Sequence, residues 1–273
     1  MISRADQGAR AAASHCGYPS GSNRRGAMRS QIRTLAKPFS EHDWPGLTCP
    51  TCRDGVLGAP SIVYENDARD PATDAKFDND PTAPEGGFHG HLVCSRQRCG
   101  AWAVIGGRYT TDWQMFPGNI LDLWAVLEVK TILPGPSILE LSPGVPEPVR
   151  REIDRASNLI WLDPQAAAGA LRSAVERVMD DHDIPAEDSN GGYLTLHNRL
   201  QKFKQKNQQT ATLLMAVKWV GNGGVHQSAA MSADDALDTA EIVEVALGAL
   251  YAPDDSAIRE RAERINTAKR LVP

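Results

Sequence analysis

The sequence predicts an α+β protein, mainly α, in which a small β domain is followed by an all-α helical bundle. Three observations point there. Four of the five cysteines fall in two close pairs, Cys49/Cys52 and Cys94/Cys99, among strand-like runs. Five prolines crowd residues 133–148. Beyond them the apolar period changes from about two residues to about 3.6. The 273 residues are 41% hydrophobic and 23% charged, which suits one or two globular domains and excludes a disordered chain, a collagen-like repeat and a small disulfide scaffold. A formal charge of −5 gives no global field for nucleic acid, so only a local basic surface could serve one. The longest apolar runs, such as 120–129 with Asp122 and Glu128 inside it, fall far short of a bilayer span, and no membrane partner is expected.

Residues 1–40 read as a disordered basic tail. Arg4, Arg10, Arg24, Arg25, Arg29, Arg33 and Lys37 face only Asp6, a net of +6, and no apolar periodicity is sustained. The apolar core of a secretory signal is missing. An organelle transit peptide is one alternative, and an over-extended start with Met28 rather than Met1 as the initiator is another. Cys16 reads as a free thiol without a role.

Residues 41–132 carry the cysteine pairs. Cys49-Pro-Thr-Cys52 is a knuckle whose two thiolates sit about one tetrahedral edge apart, as Zn²⁺ requires, with Pro50 pre-setting the turn. Cys94-Ser-Arg-Gln-Arg-Cys99 is the second knuckle, and Gly100 after it can take the positive φ that turns amides back toward sulfur. The flanks, residues 91–94 and 101–105, alternate or run apolar like paired strands. Two knuckles on hairpins make a zinc ribbon with Cys49, Cys52, Cys94 and Cys99 as ligands of a structural Zn²⁺. Four thiolates close the shell and leave no position for catalysis. His89 or His91 could replace a cysteine that points away, and four unligated buried cysteines are the bland alternative. Such cysteine usage fits a reducing cytoplasm better than secreted disulfides. Residues 65–87 form an acidic, Pro- and Gly-rich loop between the hairpins. Strand-like residues resume from Trp102 to Val129, with Trp113, Phe116 and Trp124 more suited to a small core than to base stacking.

Residues 133–148 form a proline-rich linker. In the bundle, residues 149–252, one face of a first helix holds Val149, Ile153, Ser157 and Ile160. Asp163-Pro164 supplies an N-cap and a first-turn proline for a second helix with Leu171, Ala174, Val175 and Val178 inward. Residues 183–192 break it. Leu196, Leu200 and Phe203 mark a third helix, and Leu213, Leu214, Val217 and Val220 a fourth, stopped at residues 221–224. Ser232-x-x-Asp235 is a capping box for a fifth helix carrying Leu237, Ala240, Val243, Leu247 and Leu250. Residues 253–273 hold a last, charge-rich amphipathic helix.

These residues resemble a family. Pro146 and Pro148 precede the first helix, and the second reads Ala167-Ala-Gly-Ala-Leu-Arg172-Ser-Ala-Val-Glu176. A polar linker leads to the Leu-x-x-x-Leu helix at Leu196, and the run Lys218-Trp-Val-Gly-Asn222-Gly-Gly-Val-His226 follows. Residues 140–252 are thereby similar to the domain of unknown function 4145, a HEPN-like helical domain whose members often carry an N-terminal zinc ribbon. The resemblance implies a homodimer paired around the signature. It also implies RNA or another nucleic acid as ligand and a protein partner in a prokaryotic defence or stress system.

Chemically, metal-independent RNA cleavage needs a base at the 2′-hydroxyl and a cation on the phosphate, which His226 with Lys218 or Arg172 would supply. HEPN nucleases place an arginine four to six residues before this histidine, where the present chain has Val220, Gly221 and Asn222. The expectation is therefore binding without efficient cleavage, with an endoribonuclease and a dimeric scaffold as the alternatives. Arg172 and Asn222 are the candidate phosphate contacts at the signature. A separate basic run, Arg199, Lys202, Lys204 and Lys206 with His197 and Phe203 interleaved, could track a backbone or simply face solvent.

Overall fold

The computed structural model describes residues 30–58, 61–66, 85–116, 120–222, 230–253 and 255–271, with side chains described for all but residues 113–116 and 120–123. The architecture is α+β, mainly α. Among the described residues a short helix at 30–35 precedes seven strands: β1 (Phe39–Ser40), β2 (Leu47–Thr48), β3 (Val56–Leu57), β4 (Ser61–Asn66), β5 (Gly86–Val93), β6 (Trp102–Phe116) and β7 (Ile120–Leu133). Six helices follow: α1 (Glu147–Leu159), α2 (Pro164–Asp181), α3 (Leu196–Lys204), α4 (Gln208–Asn222), α5 (Ala233–Leu250) and α6 (Ser256–Ala268).

The β half is larger than a bare ribbon. Antiparallel pairing builds a five-stranded sheet in the order β1-β7-β6-β5-β4, beside the two-stranded hairpin β2-β3. Period-two alternation sets its faces: Phe88 and Leu92 of β5, Ala103, Ile105 and Tyr109 of β6, and Leu127, Val129 and Ile132 of β7 are buried. His89, His91, Val93, Trp102 and Val104 point to the other, exposed face.

The proline-rich stretch is packed rather than free. Ile138, Leu139 and Val145 are buried in it. The Gly135 amide donates to Asn158 Oδ1 at 2.6 Å, the Ser142 hydroxyl to the Tyr251 carbonyl at 2.5 Å, and Arg150 to the carbonyls of Ser142 and Val145. Proline forbids helix here, yet its extended backbone suits a strap laid on the bundle.

Within the bundle the helices start where their caps stand. Asp163 accepts from the Ala166 amide with Pro164 in the first turn of α2. Ser232 and Asp235 make the reciprocal capping box of α5. Past α2, Asp183 and Gly191 take positive φ and turn the chain toward α3. The centre of the bundle is α2, which packs on α1, α4 and α5. Its Ala167, Ala168, Ala170 and Ala174 are buried, which lets neighbouring backbones come close. Helix α6 is different, because it buries none of its residues.

One expectation needs correction. Residues 30–40 are not part of a disordered tail: residues 30–35 are helical, with Ile32 and Leu35 in the core. Arg33 reaches Asp234 at 2.5 Å, Asp238 at 2.5 Å and Glu241 at 2.9 Å, one face of α5. Hydrogen bonds to Asp238 and then Glu241 raise the already high guanidinium pKa further. Local composition read as a charged tail, whereas the tertiary fold supplies three carboxylates that suit this one cation. Cys16 and Met28 lie outside the described residues.

Candidate functional site

The chain presents two sites, one in each half. In the β half, Cys49 and Cys52 sit in the turn between β2 and β3, and Cys94 and Cys99 in the turn between β5 and β6. The turns are stitched together: Leu57 bridges to Cys94, the Ser95 amide donates to the Val56 carbonyl at 2.9 Å, and the Val56 amide donates to Ser95 Oγ at 3.0 Å. Arg96 pairs with Asp54 across the same seam. All four Sγ atoms consequently lie within 4.8 Å of one another. The Cys49–Cys99 and Cys52–Cys94 pairs are 3.8 and 3.7 Å apart. A tetrahedral ion with metal–sulfur bonds of about 2.3 Å has edges of about 3.8 Å, so the spacing fits such an ion.

The surroundings fit it too. The Gly55 amide donates to Cys52 Sγ at 3.2 Å and the Arg96 amide to Cys94 Sγ at 3.5 Å. The amides of Asp54 and Gly55 hold the Cys52 thiol down, at about 6. Cys94 has the Arg96 amide pulling the same way, but burial and its cysteine neighbours outweigh it and push the thiol up to about 12. Four thiols this close need a cation to ionise together. Gly100 takes φ +59°, as expected from its place after the last cysteine. Gly55 is a residue the sequence reading missed: a Cβ there would stand 2.3 Å from Cys94 Sγ, so only glycine lets the first turn close over the second. A Cys-x-x-Cys-x-x-Gly spacing was the available signal. Among the described residues the cluster holds only the four cysteines, and His89 and His91 are exposed on the sheet.

The second site lies where α4 crosses α2. Gly221 makes the crossing: a Cβ at this position would meet Arg172 Cβ at 2.8 Å and the Ala168 carbonyl at 3.1 Å. The glycine of the signature thus serves close helix contact, and α4 continues through it to Asn222, which is exposed at the end of the described helix. Arg172 pairs with Glu176 at 3.1 Å, one turn along α2, and its Nε is buried without a hydrogen-bond partner. Lys218 is only 8% exposed. No carboxylate among the described residues lies within ion-pair distance of it; its Nζ stands 3.2 Å from the ring centroid of Trp219 instead. Burial, and then the charge of Arg172, lower the Lys218 pKa from the ordinary lysine value. Trp219 itself is 57% exposed, and the His197 ring stands 6.1 Å away. Sequence reasoning passed over Trp219 because one aromatic beside a lysine carries no period. His226 lies outside the described residues.

The basic run of α3 does not form one surface. Arg199 is 4% exposed and turned inward, donating to Asp180 Oδ1 at 2.6 Å and twice to the Ile184 carbonyl. It caps the turn after α2 and is withdrawn from any exposed stripe. Lys206 reaches the His182 carbonyl at 2.9 Å. Lys202 and Lys204 remain exposed on α3.

An α+β chain with a four-cysteine cluster and a buried lysine beside an arginine in its bundle is the class these geometries define. Residues 154–268 match the family described as Domain of unknown function (DUF4145), a stretch that includes all of α2 to α6. No curated protein and no solved structure matches the chain. No helix among the described residues is long and apolar enough to cross a membrane.

Proposed function

We propose that this chain is a zinc-ribbon protein whose HEPN-like helical domain holds the phosphate backbone of a nucleic acid, as a binding module rather than an efficient nuclease. The observation that carries the reading is Lys218, a buried ammonium with no carboxylate beside it among the described residues and with Arg172 as its charged neighbour. A buried charge without an opposite partner costs several kcal/mol, on the order of the penalty for breaking a buried pair. The Trp219 ring returns only about 0.5–2 kcal/mol of that. Glu176 is already engaged by Arg172. A phosphate oxygen at the crossing supplies the missing negative charge, and the guanidinium offers it a fork. The resemblance supports binding over cleavage, since Val220, Gly221 and Asn222 occupy the places of the nuclease arginine. A prokaryotic defence or stress setting rests on that resemblance alone.

The four-thiolate shell suits Zn²⁺ among the common metals. When bound, the ion neutralises the thiolates and ties the two hairpin turns together. The residues that would hold it are Cys49, Cys52, Cys94 and Cys99, with the amides of Asp54, Gly55 and Arg96 behind them.

Retardation of RNA at low salt tests the nucleic-acid reading. Wild-type protein should shift the RNA, Lys218→Ala with Arg172→Ala should weaken the shift, and Lys202→Ala with Lys204→Ala should leave it nearly intact. Absence of any shift by the wild type sinks the reading.

A further inference from the structure

We infer that the open face of Trp219 is a base-stacking platform, so that the strand held at Lys218 and Arg172 is single-stranded with its bases unpaired. The inference rests on the nucleic-acid reading and narrows it. Lys218 Nζ covers one face of the indole at 3.2 Å from the centroid, yet the residue stays 57% exposed. The accessible surface therefore belongs to the opposite face and the outer edge. The same ring is thus bound to the unneutralised cation on one side and open to solvent on the other.

Exposed apolar residues standing singly need no special account. This one differs in its setting. It stands on α4 beside the crossing, with the Lys218 ammonium over one face, the His197 ring 6.1 Å away, and Gly221, which packs on Arg172, two residues on. A ring beside two cations matches what one nucleotide presents: a flat base to stack and a phosphate to neutralise. Stacking accepts any base, since every base has a π-face, and cations beside the ring follow the backbone. Bases inside a duplex already stack on one another and reach such a ring only by leaving the helix. Arg172 retains donor capacity for the phosphate at Nη1, because Glu176 engages Nη2 and Nε is buried.

The test separates bases from phosphates. Fluorescence anisotropy would follow the full-length protein with labelled RNA and DNA strands of about 12 nucleotides, a length within the site sizes of single-strand binders. Each is paired with an abasic strand of equal length and with the corresponding duplex. Wild type should prefer the base-bearing strand over the abasic one by about tenfold, the effect of one stacked base. Trp219→Ala should erase that preference and Trp219→Phe should keep most of it. Lys218→Ala should weaken base-bearing and abasic strands alike. The RNA and DNA arms say which sugar the site accepts.

Equal affinity of the wild type for base-bearing and abasic strands overturns the inference and leaves the phosphate reading standing. So does a Trp219→Ala variant that still distinguishes them. Failure to bind either strand at low salt overturns both. A Trp219→Ala variant that changes sedimentation but not strand binding assigns the ring to a protein contact and likewise overturns the inference. Trp219 is mostly exposed, so its variants should fold, which circular dichroism checks directly.

Discussion

The cysteine cluster of the β half and the Lys218–Arg172 pair of the bundle set the same electrostatic problem with opposite signs. Four thiols within 4.8 Å of one another need a cation, and a buried ammonium next to a guanidinium needs an anion. Their surroundings differ. The thiols are closed in by two turns, by backbone amides and by the close approach of Gly55, so the fitting occupant is a resident ion. The cations lie at a helix crossing beside a largely exposed indole, so the fitting occupant is one that arrives and leaves. Like charge gathered behind closed turns reads as structure, and like charge gathered at an open crossing reads as binding.

Removing the metal should have the largest effect. Structural zinc contributes apparent binding free energies of about 10–16 kcal/mol in small domains. One ion per chain is expected by elemental analysis, lost in Cys52→Ser with Cys94→Ser. Chelation should abolish the near-ultraviolet signal of the β half while much of the helical signal at 222 nm remains. If the helical signal falls in the same step, the two halves form one cooperative unit, with Arg33 on α5 and the packed 133–148 strap as the couplings to mutate next.

On the opposite side of the comparison, Lys218→Ala with Arg172→Ala should flatten the salt dependence of single-strand binding by roughly 1.4, about 0.7 for each phosphate contact. Titration supplies a second check. The Lys218 pKa lies below the ordinary lysine value, through burial and then Arg172. The ammonium is charged below that lowered pKa and would hold the phosphate there; as pH rises through it, charge and affinity should be lost, ahead of the ordinary lysine range. Lys218→Arg stays charged and should remove the loss. A wild-type affinity that stays flat until ordinary lysines titrate counts against Lys218 as the contact.

Gly221→Ala should cost about 1–3 kcal/mol of stability, the usual range for overpacking, because the new Cβ would press on Arg172 and the Ala168 carbonyl. It should also disturb strand binding, since the crossing that sets the cations must open; thermal unfolding and anisotropy read the two effects separately. Smaller still, Ser232→Ala should cost about 1 kcal/mol by removing the cap of α5, with no change in metal or strand binding. Asp235 is held below its ordinary pKa by the Ser232 hydroxyl and then its amide. Its contribution is therefore present above the ordinary carboxylate range and lost as pH falls through the depressed value. In Ser232→Ala, this acid-sensitive part of the unfolding curve should shrink.

The bundle was the more legible half. Asp163-Pro164 and Ser232-x-x-Asp235 announce their helices because a cap acts within four residues, and Leu196, Leu200 and Phe203 declare a face because one helix carries them all. The cysteine knuckles were legible for the same local reason. Less visible was the scale of the sheet: β6 and β7 pair along most of their length, and one face of the sheet leaves Val93, Trp102 and Val104 exposed.

The sequence by itself determined the order of the β sheet and the bundle, the helix starts at Asp163 and Ser232 and the four thiols, because each depends on neighbours along the chain or on a residue type that does one thing well. Only the tertiary structure decided which cations are free. Arg33, Arg199 and Lys218 look alike as charges on a string. Folding gives Arg33 three carboxylates of α5, buries Arg199 against Asp180 and the Ile184 carbonyl, and leaves Lys218 with an indole and another cation. A charge is spent or available according to what stands within about 4 Å of it, and that distance is set by elements far apart in the chain.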